Sequence, residues 1–167
     1  MLSSESLAQG WKSRVLAGVL GTMLLAGCQV QPLYGSIDGQ QQSISVSQPG
    51  SRVEQAVRNE LVSGFGGEQL NAAYQLNLSV KSTSTGILPS VIDNQFSAAR
   101  TTVTATYVLK SVSTGETLKT GSRFADAQLE LPSQQFAQIR ARRDAEDRAA
   151  RQVATLVRAD IAAALAR

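Results

Sequence analysis

Cys28 is the chain's only thiol, and it stands directly behind Leu25-Ala26-Gly27. A thiol reacts as its thiolate, toward an electrophilic carbon, a metal or another sulfur. With a single cysteine no intrachain disulfide can form. The chain also has no histidine, so the commonest acid-base group and metal ligand is missing. No spacing marks a Ser-Lys or carboxylate pair as a nucleophile with its base. A non-enzymatic protein without cofactor or metal is therefore expected, and modification of Cys28 is the chemistry that its position favours.

That position is informative. Lys12 and Arg14 precede an apolar run from about Val15 to Leu25, and small residues follow. This is the pattern of a secretory signal peptide, too short for the ~20 residues of a spanning helix. An ordinary signal peptide followed by a cysteine that becomes buried would share the pattern. Leu25-Ala26-Gly27-Cys28 is also similar to the bacterial lipobox, whose cysteine receives a diacylglyceryl thioether, becomes the new N-terminus and is N-acylated. Two or more acyl chains anchor a protein stably. Gln29 replaces the Asp that tends to hold Gram-negative lipoproteins in the inner membrane, so the motif points to the periplasmic side of the outer membrane.

Three segments are expected: a lipoprotein signal peptide over 1–27, a lipidated N-terminus and tether over 28–42, and a domain over 43–167. Removing residues 1–27 leaves 140 residues, enough for one core. They carry 14 Lys and Arg against 12 Asp and Glu, too balanced for bulk attraction to nucleic acid.

Within the domain, Ser43 to Val46 alternates polar and apolar, as a half-buried strand does. Pro49-Gly50 stops it, and Ser51 with Glu54 has capping-box spacing. Val53, Ala56, Val57 and Leu61 then give one apolar helix face. Arg52, Arg58 and Glu60 fall off that stripe and read as solvated. Tyr74, Leu76, Leu78 and Val80 alternate in a second strand, and Val103, Ala105, Tyr107 and Leu109 in a third. A fourth is expected from Glu116 to about Leu131, with a bulge or break near Gly121-Ser122. Pro132-Ser133 supplies a stop and an N-cap before a long helix over about 134–166. Its core stripe is Ala150, Val153, Val157, Ile161 and Ala164, widened by Leu156 and Leu165. The expected fold is α+β, a four-stranded mostly antiparallel sheet with two amphipathic helices packed on one face, in the order β-α-β-β-β-α.

Taken together these segments resemble the LptE-type lipopolysaccharide-assembly lipoproteins in their alphaproteobacterial form. The matching features are Cys28 with Pro32-Leu33-Tyr34 behind it and the helix Arg52-Val53-Glu54-Gln55-Ala56-Val57-Arg58. The strand from Arg100 to Leu109 with Thr114-Gly115 and Gly121 also matches, as does the helix Arg143-Asp144-Ala145-Glu146-Asp147-Arg148-Ala149-Ala150. The resemblance implies a lipoprotein that plugs and helps assemble an LptD-type outer-membrane β-barrel and binds lipopolysaccharide during insertion into the outer leaflet.

Candidate residues follow from that implication. The sheet face away from the core would show Gln75, Asn77, Ser79 and Lys81 beside Arg100, Thr102, Thr104 and Thr106. A barrel interior is polar, so Asn77, Ser79, Thr102, Thr104 and Thr106 are candidate barrel contacts. The same pattern suits a sheet face open to water. Gly86 to Asn94 reads as an apolar loop that either packs on its own core or projects, through Leu88, toward the barrel or an acyl chain. Arginine suits the phosphates of lipopolysaccharide, which makes Lys81, Arg100, Arg140, Arg142 and Arg143 candidate ligands. An auxiliary lipoprotein of an ABC-type lipid-transport system would share the anchor and the mixed fold. A cell-wall tether would want a long coiled coil or a lysine-ended tail.

Overall fold

A computed structural model describes residues 43–89 and 96–166. Cys28, the signal peptide, the tether and residues 90–94 of the apolar loop lie outside the described residues. The elements run β1 (Ile44–Val46), α1 (Arg52–Gly64), β2 (Tyr74–Pro89), β3 (Phe96–Ser111), β4 (Thr117–Glu130) and α2 (Gln135–Leu165). The sheet order is β1-β2-β3-β4, with β1 parallel to β2 and the other pairs antiparallel. This is the α+β arrangement that the pattern of the sequence implies.

Ser51 starts α1 as expected. Its Oγ accepts from Glu54 N (3.2 Å), and Glu54 Oε2 reaches back to Gly50 N (3.3 Å). Such a cap contributes about 1 kcal/mol. Val53, Val57 and Leu61 are buried along one stripe, continued by Phe65. The chain leaves α1 through Gly66 at φ 85° and Gly67 at φ 114°, where a Cβ would be strained.

One face of the sheet forms the core floor. Leu76, Leu78 and Val80 of β2, Val103, Ala105, Tyr107 and Leu109 of β3, and Ala125, Ala127 and Leu129 of β4 are all buried. Over them α2 buries Ala145, Ala149, Val153, Val157 and Ile161. Alanines on both sides, with Ala99 and Ala105 below, let the helix lie close to the sheet. Each fully buried Val, Leu or Ile contributes roughly 1.5–3 kcal/mol.

Several local expectations are corrected. Ser133 does not cap α2; Gln134 precedes the helix and makes no side-chain cap bond. Leu156 is 44% exposed and lies off the core stripe. Arg52 bonds Asp147 at 2.8 Å and also pairs with Glu146, tying the start of α1 to α2. Arg58, with 11% of its side chain exposed, pairs with Glu68 and donates to Ser47 O. Neither arginine is simply solvated.

β4 also runs without a break at Gly121. Gly121 faces Tyr107 across the ladder, and a Cβ there would lie 2.4 Å from Tyr107 Oη. The glycine makes room for the ring. Gly121→Ala is therefore expected to destabilise the domain by about 1–3 kcal/mol, as overpacking does, measurable as a lower urea midpoint at unchanged slope.

Candidate functional site

The outer face of the sheet follows from the same alternation that builds the core. Because neighbouring strand side chains point to opposite sides, burying Leu76, Leu78 and Val80 turns Asn77, Ser79, Lys81, Thr83 and Thr85 outward. The register sets Ser79 opposite Thr106, Lys81 opposite Thr104, Thr83 opposite Thr102 and Thr85 opposite Arg100. Thus Asn77, Ser79, Thr102, Thr104 and Thr106, the expected contact residues, share one continuous surface. Thr102 Oγ1 donates to Asp126 Oδ1 on β4 (2.6 Å), which fixes both side chains.

On the β4 side of this face stands a residue that its sequence pattern does not single out. Phe124 of β4 lies opposite Thr104 and is 65% exposed. With Ala125, Gln152, Thr155 and Leu156 it lines a shallow hollow of about 450 Å³ at the β4 edge. The buried alternation of Ala125, Ala127 and Leu129 was the available signal, since it leaves Phe124 on the outer side.

The candidate cations are not gathered together. Lys81 and Arg100 share the outer face, but four residues of strand, ~13 Å, separate their ladder positions. Arg100 alone sits beside the hairpin end. Arg140, Arg142 and Arg143 are exposed on α2, which covers the opposite face. Arg140 lies over the Phe136 ring at 5.6 Å, a cation–π contact. Among the described residues none of these five cations has an ion-pair partner, unlike Arg52, Arg58, Arg123 and Arg148.

The apolar loop begins later than expected. Residues 86–89 belong to β2, with a register shift between Gly86 and Leu88 and Pro89 at the strand's end. The Phe96 ring covers Gly86, where a Cβ would lie 2.3 Å from it, and so supports the backbone in place of a side chain. Ile87 is exposed and Leu88 is 57% exposed, so neither packs in the core. Leu88 instead borders a groove of about 720 Å³ between the hairpin end and the first half of α2. Ala98, Leu129, Leu131, Pro132 and Ala141 give it an apolar lining, and Asp144 and Arg148 form a polar rim. Arg148 donates to Asp144 (2.9 Å) and to Gln128 O (3.0 Å).

One polar cluster holds the other end. Tyr107, 1% exposed, donates its hydroxyl to Asp160 Oδ2 at 2.5 Å, and Arg123 grips the same carboxylate with two bonds of 2.7 and 2.6 Å. The Arg123 hydrogen bond, aided by that of Tyr107 and opposed by burial, holds Asp160 below the ordinary carboxylate range. Burial, then the Asp160 bond, pushes the Tyr107 phenol up. The cluster joins β3, β4 and α2 as structure, and its groups are committed to one another.

Among the described residues no helix is long and apolar enough to cross a membrane. The arrangement offers surfaces: a polar hydroxyl-rich sheet face, an exposed apolar hairpin end and scattered cations on both sides of the sheet.

Comparison with solved structures finds the same fold. A structure described as a lipoprotein of Caulobacter crescentus CB15 is similar at TM-score 0.65 and 21% identity, covering 78% of this chain and 96% of that one. The rare lipoprotein B of Shewanella oneidensis is similar at TM-score 0.55 and 13% identity, with 72% and 92% covered. A minor lipoprotein of Acinetobacter baumannii is similar at TM-score 0.50 and 12% identity, with 72% and 88% covered. No match is found among curated proteins. A family model described as LptE, lipopolysaccharide-assembly, matches residues 40–161. That match spans both helices' core stripes and all four strands, and the chain accordingly belongs to the LptE lipopolysaccharide-assembly family.

Proposed function

We propose that this protein is an outer-membrane lipoprotein, held on the periplasmic side through lipidated Cys28. Its domain plugs and helps assemble an LptD-type β-barrel and binds lipopolysaccharide on its way to the outer leaflet. The observation that carries the reading is the outer sheet face in a member of this family. Asn77, Ser79, Thr102, Thr104 and Thr106 are short, polar and uncharged, on a surface formed by three strands of 14–16 residues. Such a surface suits the hydrogen-bonding wall of a polar barrel lumen. Leu88 at the hairpin end is the apolar contact of the same interface.

The test is gentle purification of the lipidated protein from membranes. A large outer-membrane barrel is expected at about equal amount, crosslinked from photoreactive side chains at Thr104 and Leu88. Recovery of transport ATPase or permease subunits instead would overturn the reading.

For lipopolysaccharide the cationic sites lie on opposite sides of the sheet, so they act as separate contacts. Losing a charge-assisted hydrogen bond costs about 1.5–3 kcal/mol, so reversing Lys81 and Arg100 to Glu is expected to weaken binding by roughly 10–100-fold. Reversing Arg140, Arg142 and Arg143 tests the second site in the same pull-down with labelled lipopolysaccharide. Unchanged binding after both reversals would remove these residues from the mechanism.

A further inference from the structure

β1 covers only the start of β2. Tyr74 N donates to Ser43 O (3.1 Å) and Ser47 N to Leu76 O (2.9 Å). Leu78 N then donates to Ser47 Oγ (3.0 Å), a side chain standing where the next strand residue would be. After Ser47 the chain turns off into α1. On the other side Ala73 O accepts from Val112 N, next to β3. Backbone groups alternate sides along a strand, so Val80, Ser82, Ser84 and Gly86 turn their amides and carbonyls to the same edge as Tyr74, Leu76 and Leu78. No strand among the described residues pairs there. The register with β3 is unbroken through Gly86, so this open edge is regular for ~20 Å.

Proteins usually blunt such an edge with charge, proline, a bulge or a cover. Between Val80 and Gly86 the one charge is Lys81, and Ser82-Thr83-Ser84-Thr85-Gly86 has none; the register shift and Pro89 come only after it. β4, the opposite edge, carries Lys119, Arg123, Asp126 and Glu130. Ser82 donates to Glu146 Oε1 (3.1 Å) and Ser84 shares a bond with the Thr101 hydroxyl (2.6 Å), so both small side chains are held on the core side of the sheet.

We infer that the β2 edge from Val80 to Gly86 accepts an extended segment of a partner protein as an added strand. The chemistry of the edge selects this occupant. It presents paired donors and acceptors at the ~6.6 Å two-residue repeat of a strand, which acyl chains and sugars do not match. It also continues the pairing that β1 begins. Lys81, beside it on the outer face, favours an acidic side chain on the incoming strand. That the partner is the outer-membrane barrel protein rests on the function proposed above.

Proline separates the two sides of β2. Ser84→Pro removes an amide that faces the open edge, which an edge strand tolerates, whereas Thr83→Pro removes one from the β2–β3 ladder. Ser84→Ala and Ser84→Pro both lose the bond between Ser84 Oγ and the buried Thr101 hydroxyl (2.6 Å). In the full-length lipidated protein Ser84→Pro is therefore expected to melt close to Ser84→Ala and to cut partner recovery at least tenfold relative to it. Thr83→Pro is expected to unfold the domain. Hydrogen exchange needs no variant: amides in the peptide spanning 79–87 should slow at least tenfold in the purified complex relative to the free protein. A photoreactive side chain at Thr85, exposed on the outer face beside this edge, should crosslink that partner. The inference is overturned if Ser84→Pro stays folded and recovers partner at the normal level, or if exchange over 79–87 is equal in complex and free protein. It is equally overturned if Thr85 crosslinks only to its own chain or to a second copy. A barrel recovered normally with Ser84→Pro would leave the proposed function standing without strand addition. A crosslinked, exchange-protecting partner other than a barrel would do the reverse.

Discussion

Replacing Asp160 with Ala is expected to destabilise the domain by about 3 kcal/mol. The buried Tyr107 hydroxyl would lose its acceptor, and an unsatisfied buried polar group costs about 1–3 kcal/mol. Tyr107→Phe removes the donor together with the need for it, so it should cost only about 1 kcal/mol. Asp160→Asn keeps an acceptor for Tyr107 but loses the charge gripped by Arg123, and it should fall between the two. Arg123 is half exposed, so much of its attraction is screened by water. Urea unfolding of Asp160→Ala, Tyr107→Phe and the double variant gives the coupling directly. If Asp160→Ala costs no more than Tyr107→Phe, the carboxylate is not satisfying the phenol.

The same cluster fixes the sign of a pH dependence. Asp160, held down first by Arg123, has a folded pKa below its unfolded value near ~3.9. Its stabilisation is complete above that value and is lost as pH falls through the folded one. Tyr107 is raised, chiefly by burial. Its contribution is complete below the ordinary tyrosine value near ~10 and is lost as pH climbs beyond it. The wild-type urea midpoint should therefore drop below about pH 4 and above about pH 10. Asp160→Asn should flatten the acid limb and Tyr107→Phe the alkaline one.

What could be read from the sequence is what local periodicity controls. Val53, Val57 and Leu61 declare a helix face, and Ser51 declares its start, because both depend on residues within a few positions. The two sheet faces were legible on β2 and β3 for the same reason: burying Leu76 and Val103 leaves no choice for Ser79 and Thr104. Long-range partners were not legible. Arg52 meets Glu146 across 94 residues, and nothing in either segment names the other. Gly121 looked like a strand breaker because a glycine in a strand usually weakens it; its role appears only when the ladder sets it against Tyr107. Leu156 fits a helical stripe on paper, but α2 meets the sheet through small alanines, and that narrow contact leaves Leu156 at the β4 edge beside Phe124. Residue type alone marks the candidate cations and carries no information on distance, and they fall on two sides of the sheet.

On the lipid anchor proposed above, substituting Cys28 with Ala is expected to have the largest effect on function. Without the thiol no thioether can form, so fatty-acid labelling should disappear and the precursor should keep residues 1–27. No described helix could span the bilayer in place of the lipid, and a single acyl chain would already hold only weakly. The amount of the protein in the outer membrane should fall at least tenfold, with the recovered barrel falling in step. A tether raises the local concentration of a domain near its partner to about the millimolar range. If that is all the lipid supplies, the domain over 43–167 secreted behind an ordinary signal peptide should regain the barrel when overproduced. If overproduction restores nothing, the acyl chains must also orient the domain or take part in assembly. Unchanged outer-membrane levels of Cys28→Ala would instead mean that protein contacts alone place the domain, and the strength of the sheet face and the β2 edge would then have to account for its location.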